Sequence, residues 1–166
     1  MIIDLSKDEV RVCTQLATER WLTKWESIDR PNYAQGKANG KLEHELLASI
    51  RANVCEWAAA KHYGLTWSVP WYPNHEHWNR RHLPDIGTTT EVRSVRTATA
   101  IPIWEKDEDK VIVATQCLDL QSFSQVFVYG MTISTPYMVD EYFDESIGGW
   151  RIPLDEFVES NGISSI

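Results

Sequence analysis

With 166 residues, 43% of them hydrophobic, the chain is long enough to bury its own core without disulfides or a structural metal, and it reads as a single domain over residues 1–166. A formal charge of −8 excludes broad electrostatic wrapping of nucleic acid, and no run of about 18 or more apolar residues exists to span a membrane. The charged opening MIIDLSKDEV does not read as a secretory leader, so a soluble chain with no membrane partner is expected.

Ser6 and Glu9 have the spacing of a capping box, and behind them Val10, Cys13, Ala17, Trp21, Trp25 and Ile28 recur at three- and four-residue steps. This predicts a first helix over about 7–29, ended by the Asp29-Arg30-Pro31-Asn32 turn. Leu42, Leu46, Ile50, Val54, Trp57 and Ala58 form a second apolar stripe that Gly64 should stop. Residues 65–82 hold prolines, tryptophans and histidines and read as an irregular loop or an edge strand.

Three β-like runs follow: EVRSVRT at 91–97, KVIVATQC at 110–117 and QVFVYGMTI at 125–133, with GGWRIP as a last short strand. Helices followed by strands predict an α+β fold, with N-terminal helices packed on a mainly antiparallel or mixed sheet. The helical part is residues 1–64, the mostly β part residues 65–166, and from Asp140 onward the chain reads as an acidic C-terminal tail. Cys13, Cys55 and Cys117 lack CxxC spacing and are expected as buried free thiols.

Charge is unevenly spread. Residues 61–96, with Lys61, Arg80, Arg81, Arg93 and Arg96 against Glu76, Asp85 and Glu91, are the only locally basic stretch. Inside it lies LPDIGTTTEVRSVRT, residues 83–97. In a strand, residues two apart share a face, so Glu91 and Arg93 project together, while Val92 points away and offers its backbone carbonyl. Asp85 supplies a second carboxylate from the preceding turn. Hard oxygen ligands of this kind suit Mg2+ or Mn2+ rather than zinc.

Pro84-Asp85 followed by Glu91-Val92-Arg93 resembles the PD-(D/E)XK nuclease signature, most closely its small phage-encoded branch with arginine at the lysine position. The likeness loosely covers residues 42–155, through the Trp-Glu-Lys-Asp turn, the Val-Tyr-Gly strand end and Arg-Ile-Pro-Leu. It implies a restriction-endonuclease-like core and metal-dependent hydrolysis of DNA in the cytoplasm of an infected or host bacterium. It also implies a metal held by Asp85, Glu91, the Val92 carbonyl and a helical glutamate, for which RANVCEWAAAKHYGL offers Glu56. Glu45 shares nearly the same helix face roughly 16 Å away, so only one of the two can reach a metal. Catalytic roles then fall to Asp85, Glu91, Arg93 and Glu56, and nucleic-acid contacts to Arg80, Arg81 and Arg96.

Two departures from the family pattern shape this expectation. Arg93 stays charged at any working pH, so it can clamp a phosphate but does not readily act as a base. The helix usual after the third strand does not fit in LDLQSFS at 118–124, and is expected to be missing or displaced to LDEFVES. An alternative function is a catalytically inactive nuclease-like fold that binds a phage or host protein, as a phage accessory or counter-defence factor.

Each residue also has a plainer role. Asp85 can be a turn aspartate, Glu91 and Arg93 a charge pair on a solvent face, and Glu56 a solvated helix glutamate. His75, His77 and His82 read as loop histidines or phosphate contacts before a zinc site. Trp67, Trp71 and Trp78 either cover the sheet edge or a helix, or stack nucleic-acid bases.

Overall fold

The computed structural model describes residues 1–25, 42–68, 83–96 and 99–157. Ser6 and Glu9 close their capping box: the Ser6 N–H donates to Glu9 Oε2 at 2.7 Å and the Glu9 N–H to Ser6 Oγ at 3.2 Å. Helix α1 (Lys7–Trp25) follows, and the expected extension to residue 29 lies outside the described residues. Helix α2 (Leu42–Tyr63) stops as its sequence predicts. Gly64 takes a φ of 65°, and the Leu65 N–H reaches back to the Ala60 carbonyl at 3.0 Å, the closing bond of a Schellman end.

The strands are β1 (Ile2–Asp4), β2 (Thr90–Ser94), β3 (Ala100–Ile103), β4 (Val111–Cys117), β5 (Gln125–Ile133), β6 (Phe143–Asp144) and β7 (Gly149–Pro153). They form two sheets. The larger, ordered β1-β5-β4-β2, is mixed: β2 and β4 run parallel and the other neighbours antiparallel. The smaller, ordered β3-β7-β6, is antiparallel. The protein is therefore α+β, with two helices on a mixed sheet.

Strand β4 is buried on both sides, which explains its unbroken apolar run. Val113 faces the helices, in a core with Ala17, Val54, Ala58, Ala59, Val92 and Val128. Its neighbours Ile112 and Ala114 face the smaller sheet, packing with Ile101, Ile103 and Ile152. The layers are thus helices, mixed sheet and small sheet. A bulge leaves Tyr129 unpaired between Ala114–Gly130 and Thr115–Val128, and its hydroxyl donates to Gln116 Oε1 at 2.7 Å.

Two expectations need correction, the displaced helix and the acidic tail, while the helix that does not fit in LDLQSFS is indeed absent there. LDLQSFS is neither helix nor part of a crossover: it is the turn of the β4–β5 hairpin, where the Leu118 N–H donates to Gln125 O at 2.9 Å. The crossover between parallel strands spans residues 95–110, and its described residues hold β3 and a short 3-10 turn at Glu105–Asp107 rather than an α-helix. The LDEFVES segment forms a 3-10 turn over Leu154–Glu156, and its last residues lie outside the described ones. Residues 140–157 are no tail either, because β7 is the central strand of the small sheet. All three cysteines are free and buried, as their spacing predicts.

Candidate functional site

Sequence dictates a hairpin around the threonine run. Gly87 adopts a φ of 59°, a left-handed conformation that glycine takes without penalty. This lets the Ile86 N–H bond Thr90 O at 3.1 Å while the Gly87 N–H bonds Thr66 O at 2.8 Å. The turn folds Asp85 back onto β2: the Val92 N–H donates to Asp85 Oδ2 at 2.8 Å. The spacer thus closes a loop that brings the two halves of the motif together.

On β2, Val92 packs into the helix-side core, and Glu91 and Arg93 share the opposite face. Arg93 Nη1 lies 3.1 Å from Glu91 Oε2 and 3.8 Å from Asp85 Oδ2. Glu91 is only 7% exposed, which rules out a charge pair on a solvent face. Glu56 is likewise 6% exposed and no solvated glutamate: its Oε2 accepts the Trp67 indole N–H at 3.0 Å and stands 3.7 Å from Arg20. Glu45 instead accepts from Trp21 at 3.3 Å, at the other end of the helix.

Electrostatics tie the three carboxylates into one site. Burial, then the charges of Glu56 and Glu91, raise Asp85 from 3.8 to about 7, against the opposing pull of the Val92 N–H and Arg93. Burial also raises Glu56, with Arg20 as the main counterweight and Glu91 adding repulsion. Burial alone would make Arg93 a weaker cation, but Asp107, Glu91 and Asp85 outweigh it and hold the guanidinium firmly charged.

Two site residues escape sequence reasoning. Lys110 Nζ lies 2.8 Å from Glu91 Oε1 and Arg93 Nη2 donates to Asp107 Oδ1 at 2.8 Å. Asp107 is fully buried, and its other oxygen accepts the Trp104 N–H at 3.1 Å. Both residues sit in the stretch WEKDEDK, which reads as a charged turn. Only the parallel register, with Val111 opposite Thr90, carries that turn to Glu91. The sole sequence signal was an acid-and-lysine cluster immediately before an apolar strand.

The remaining candidates divide. Arg96 is exposed just beyond β2. Arg80, Arg81, His75, His77, His82, Trp71 and Trp78 lie outside the described residues. Trp67 is buried against Trp57, with ring centroids 5.5 Å apart, so it covers the helix and stacks no base.

Among the described residues, no three acid, histidine or cysteine side chains are close enough to cage a metal ion. Magnesium seldom needs such a cage: one or two carboxylates suffice, with water and substrate phosphate oxygens completing its octahedron. Asp85 and Glu91 fit that donor chemistry, with the Val92 carbonyl as a neutral third oxygen. Asp85 Oδ1 and Glu56 Oε1 accept no hydrogen bond from the described residues. Both Glu91 oxygens are engaged by cations, which a metal would have to displace or share. Comparison with protein-family models, with curated proteins and with solved structures finds no match to this chain.

Proposed function

We propose that this chain is a divalent-metal-dependent phosphodiesterase that hydrolyses DNA. One observation carries the reading: Asp85 Oδ2 sits 3.8 Å from an arginine that is itself 3.1 Å from Glu91, so two carboxylates from different segments share a pocket with a guanidinium. Mg2+ or Mn2+ bound there supplies charge neutralisation and a more acidic water. Asp85 and Glu91 hold the ion, and Glu56 lends negative charge from the buried side. Arg93, held by Asp107, orients Glu91 and faces the charge that develops on the phosphate. Lys110, with one carboxylate partner and 21% side-chain exposure, has donors to spare for a phosphate oxygen.

The experiment is cleavage of plasmid and single-stranded DNA with magnesium or manganese, comparing wild type with Asp85→Ala and Glu91→Ala. Each substitution is expected to lower the rate by at least about a hundredfold, the scale of losing one charge-stabilising group. Equal activity in all three proteins sinks the reading.

A second reading, a nuclease-like fold that binds a phage or host protein without catalysis, is favoured by the pairing of both Glu91 oxygens and of Arg93 with buried Asp107. Calorimetry with magnesium separates the two. No heat of binding, together with capture of one host protein, supports the second.

A further inference from the structure

Both oxygens of Glu91 are taken up by cations, and the two cations are held very differently. Arg93 is anchored at a second point: Nη1 stands 3.1 Å from Glu91 Oε2, while Nη2 stands 2.8 Å from Asp107 Oδ1. Asp107 is fully buried, so Arg93 cannot turn away without stranding a charge in the interior. Its Nη1 also reaches the Val92 carbonyl at 3.5 Å.

Lys110 has no such anchor. Its ammonium stands 2.8 Å from Glu91 Oε1 and makes no other ion pair or hydrogen bond among the described residues. The backbone beneath it is fixed: the Lys110 N–H reaches the Asp107 carbonyl and Ser134 Oγ, each at 3.2 Å, and the Lys110 carbonyl accepts the Ser134 N–H at 3.0 Å. Above that fixed point the four-carbon stem can swing, and 21% of the side chain is already open to solvent. An ammonium that leaves this place returns to water.

With Oε2 clamped by Arg93, Oε1 is the Glu91 oxygen that a divalent ion would use. An ammonium and a divalent ion at one carboxylate oxygen repel each other, and the carboxylate attracts the doubly charged partner more strongly. We propose that Lys110 is a displaceable counter-ion, which neutralises Glu91 in the metal-free protein, yields Oε1 to Mg2+ or Mn2+, and thereby sets the metal affinity of the site. The ion itself rests on the phosphodiesterase reading above; what is added is that Lys110 opposes its binding while Arg93 stays in place. Released from Glu91, the ammonium is free to meet a substrate phosphate oxygen.

The test is titration calorimetry with magnesium and manganese chloride on wild type, Lys110→Met and Lys110→Arg, each checked for native fold by circular dichroism. Lys110→Met, of similar length without the charge, is expected to bind the ion on the order of tenfold more tightly. Lys110→Arg, whose planar fork grips a carboxylate more firmly, is expected to bind it more weakly than wild type. The second arm needs no substitution and so stands even where a variant fails to fold. Brief acetylation of the wild type, read by mass spectrometry, is expected to modify Lys110 faster with Mg2+ than without, against the other lysines as baseline.

Equal or weaker ion binding in Lys110→Met than in a wild type that binds overturns the proposal and leaves the nuclease reading standing. Acetylation of Lys110 that the ion leaves unchanged or slows overturns it as well. No heat of binding in any of the three proteins defeats both. Tighter binding in Lys110→Met, in a protein that cuts no DNA, supports the counter-ion and defeats the nuclease reading alone.

Discussion

Asp85 is placed where burial and two neighbouring carboxylates all disfavour its charge, so its folded-state pKa is about 7 against an ordinary 3.8. An acid whose pKa is raised by folding contributes stability below its unfolded value and loses it as pH climbs through the folded one. The contribution is therefore full below about pH 4 and gone above about pH 7. Asp85→Asn should flatten this part of the profile, which urea denaturation at pH 5 and pH 8 measures directly. An identical pH 5 to pH 8 difference in wild type and variant would contradict the placement. Arg93 illustrates the reverse balance: fully buried Asp107 and nearly buried Glu91 keep it charged where burial alone would not.

Two close approaches decide the geometry at the scale of elements. The Asp85–Val92 hydrogen bond turns a glycine-threonine spacer into a bracket that fixes the start of β2, and Trp67 pairs with Ile86 to hold the bracket's outer side. In the small sheet, Gly149 opens β7 where β3 gives way to Trp104. A Cβ there would stand 2.5 Å from the Ile103 carbonyl and 2.9 Å from the Trp104 ring, so backbone would have to move. Gly149→Ala is expected to destabilise the protein by about 1–3 kcal/mol, the usual range for overpacking, read as a lower urea midpoint. Because Trp104 N–H caps Asp107, the displacement should also loosen Arg93. A midpoint equal to the wild type's would show that the two sheet strands can part freely.

The whole molecule is organised around the mixed sheet, which is covered on both faces. Its two cores share β4, with Val113 on one side and Ile112 on the other, both completely buried. Neither core can open without exposing the back of the other, so unfolding should be one cooperative transition. Ile112→Ala is expected to cost about 2–5 kcal/mol, and to lower the midpoint seen by tryptophan fluorescence and by far-ultraviolet circular dichroism together. Two separate transitions would mean that the small sheet folds independently. No helix among the described residues is long and apolar enough to cross a membrane.

Much of this was legible in the chain itself. The capping box, the stop of α2 at Gly64, and strands β4, β5 and β7 all follow from local signals, because capping, left-handed glycine and apolar periodicity act over a few residues. Strands β1 and β3, only three and four residues long, carry no readable period. The pairing of Glu91 with Arg93 was likewise set by strand alternation. What only the tertiary structure decided is the company these residues keep. Lys110 and Asp107 arrive through a parallel register across a crossover, and Glu56 turns inward under Trp67. Such meetings depend on sheet order and helix packing, which link residues distant in sequence, and they determine which charges are buried, paired or left open to a ligand.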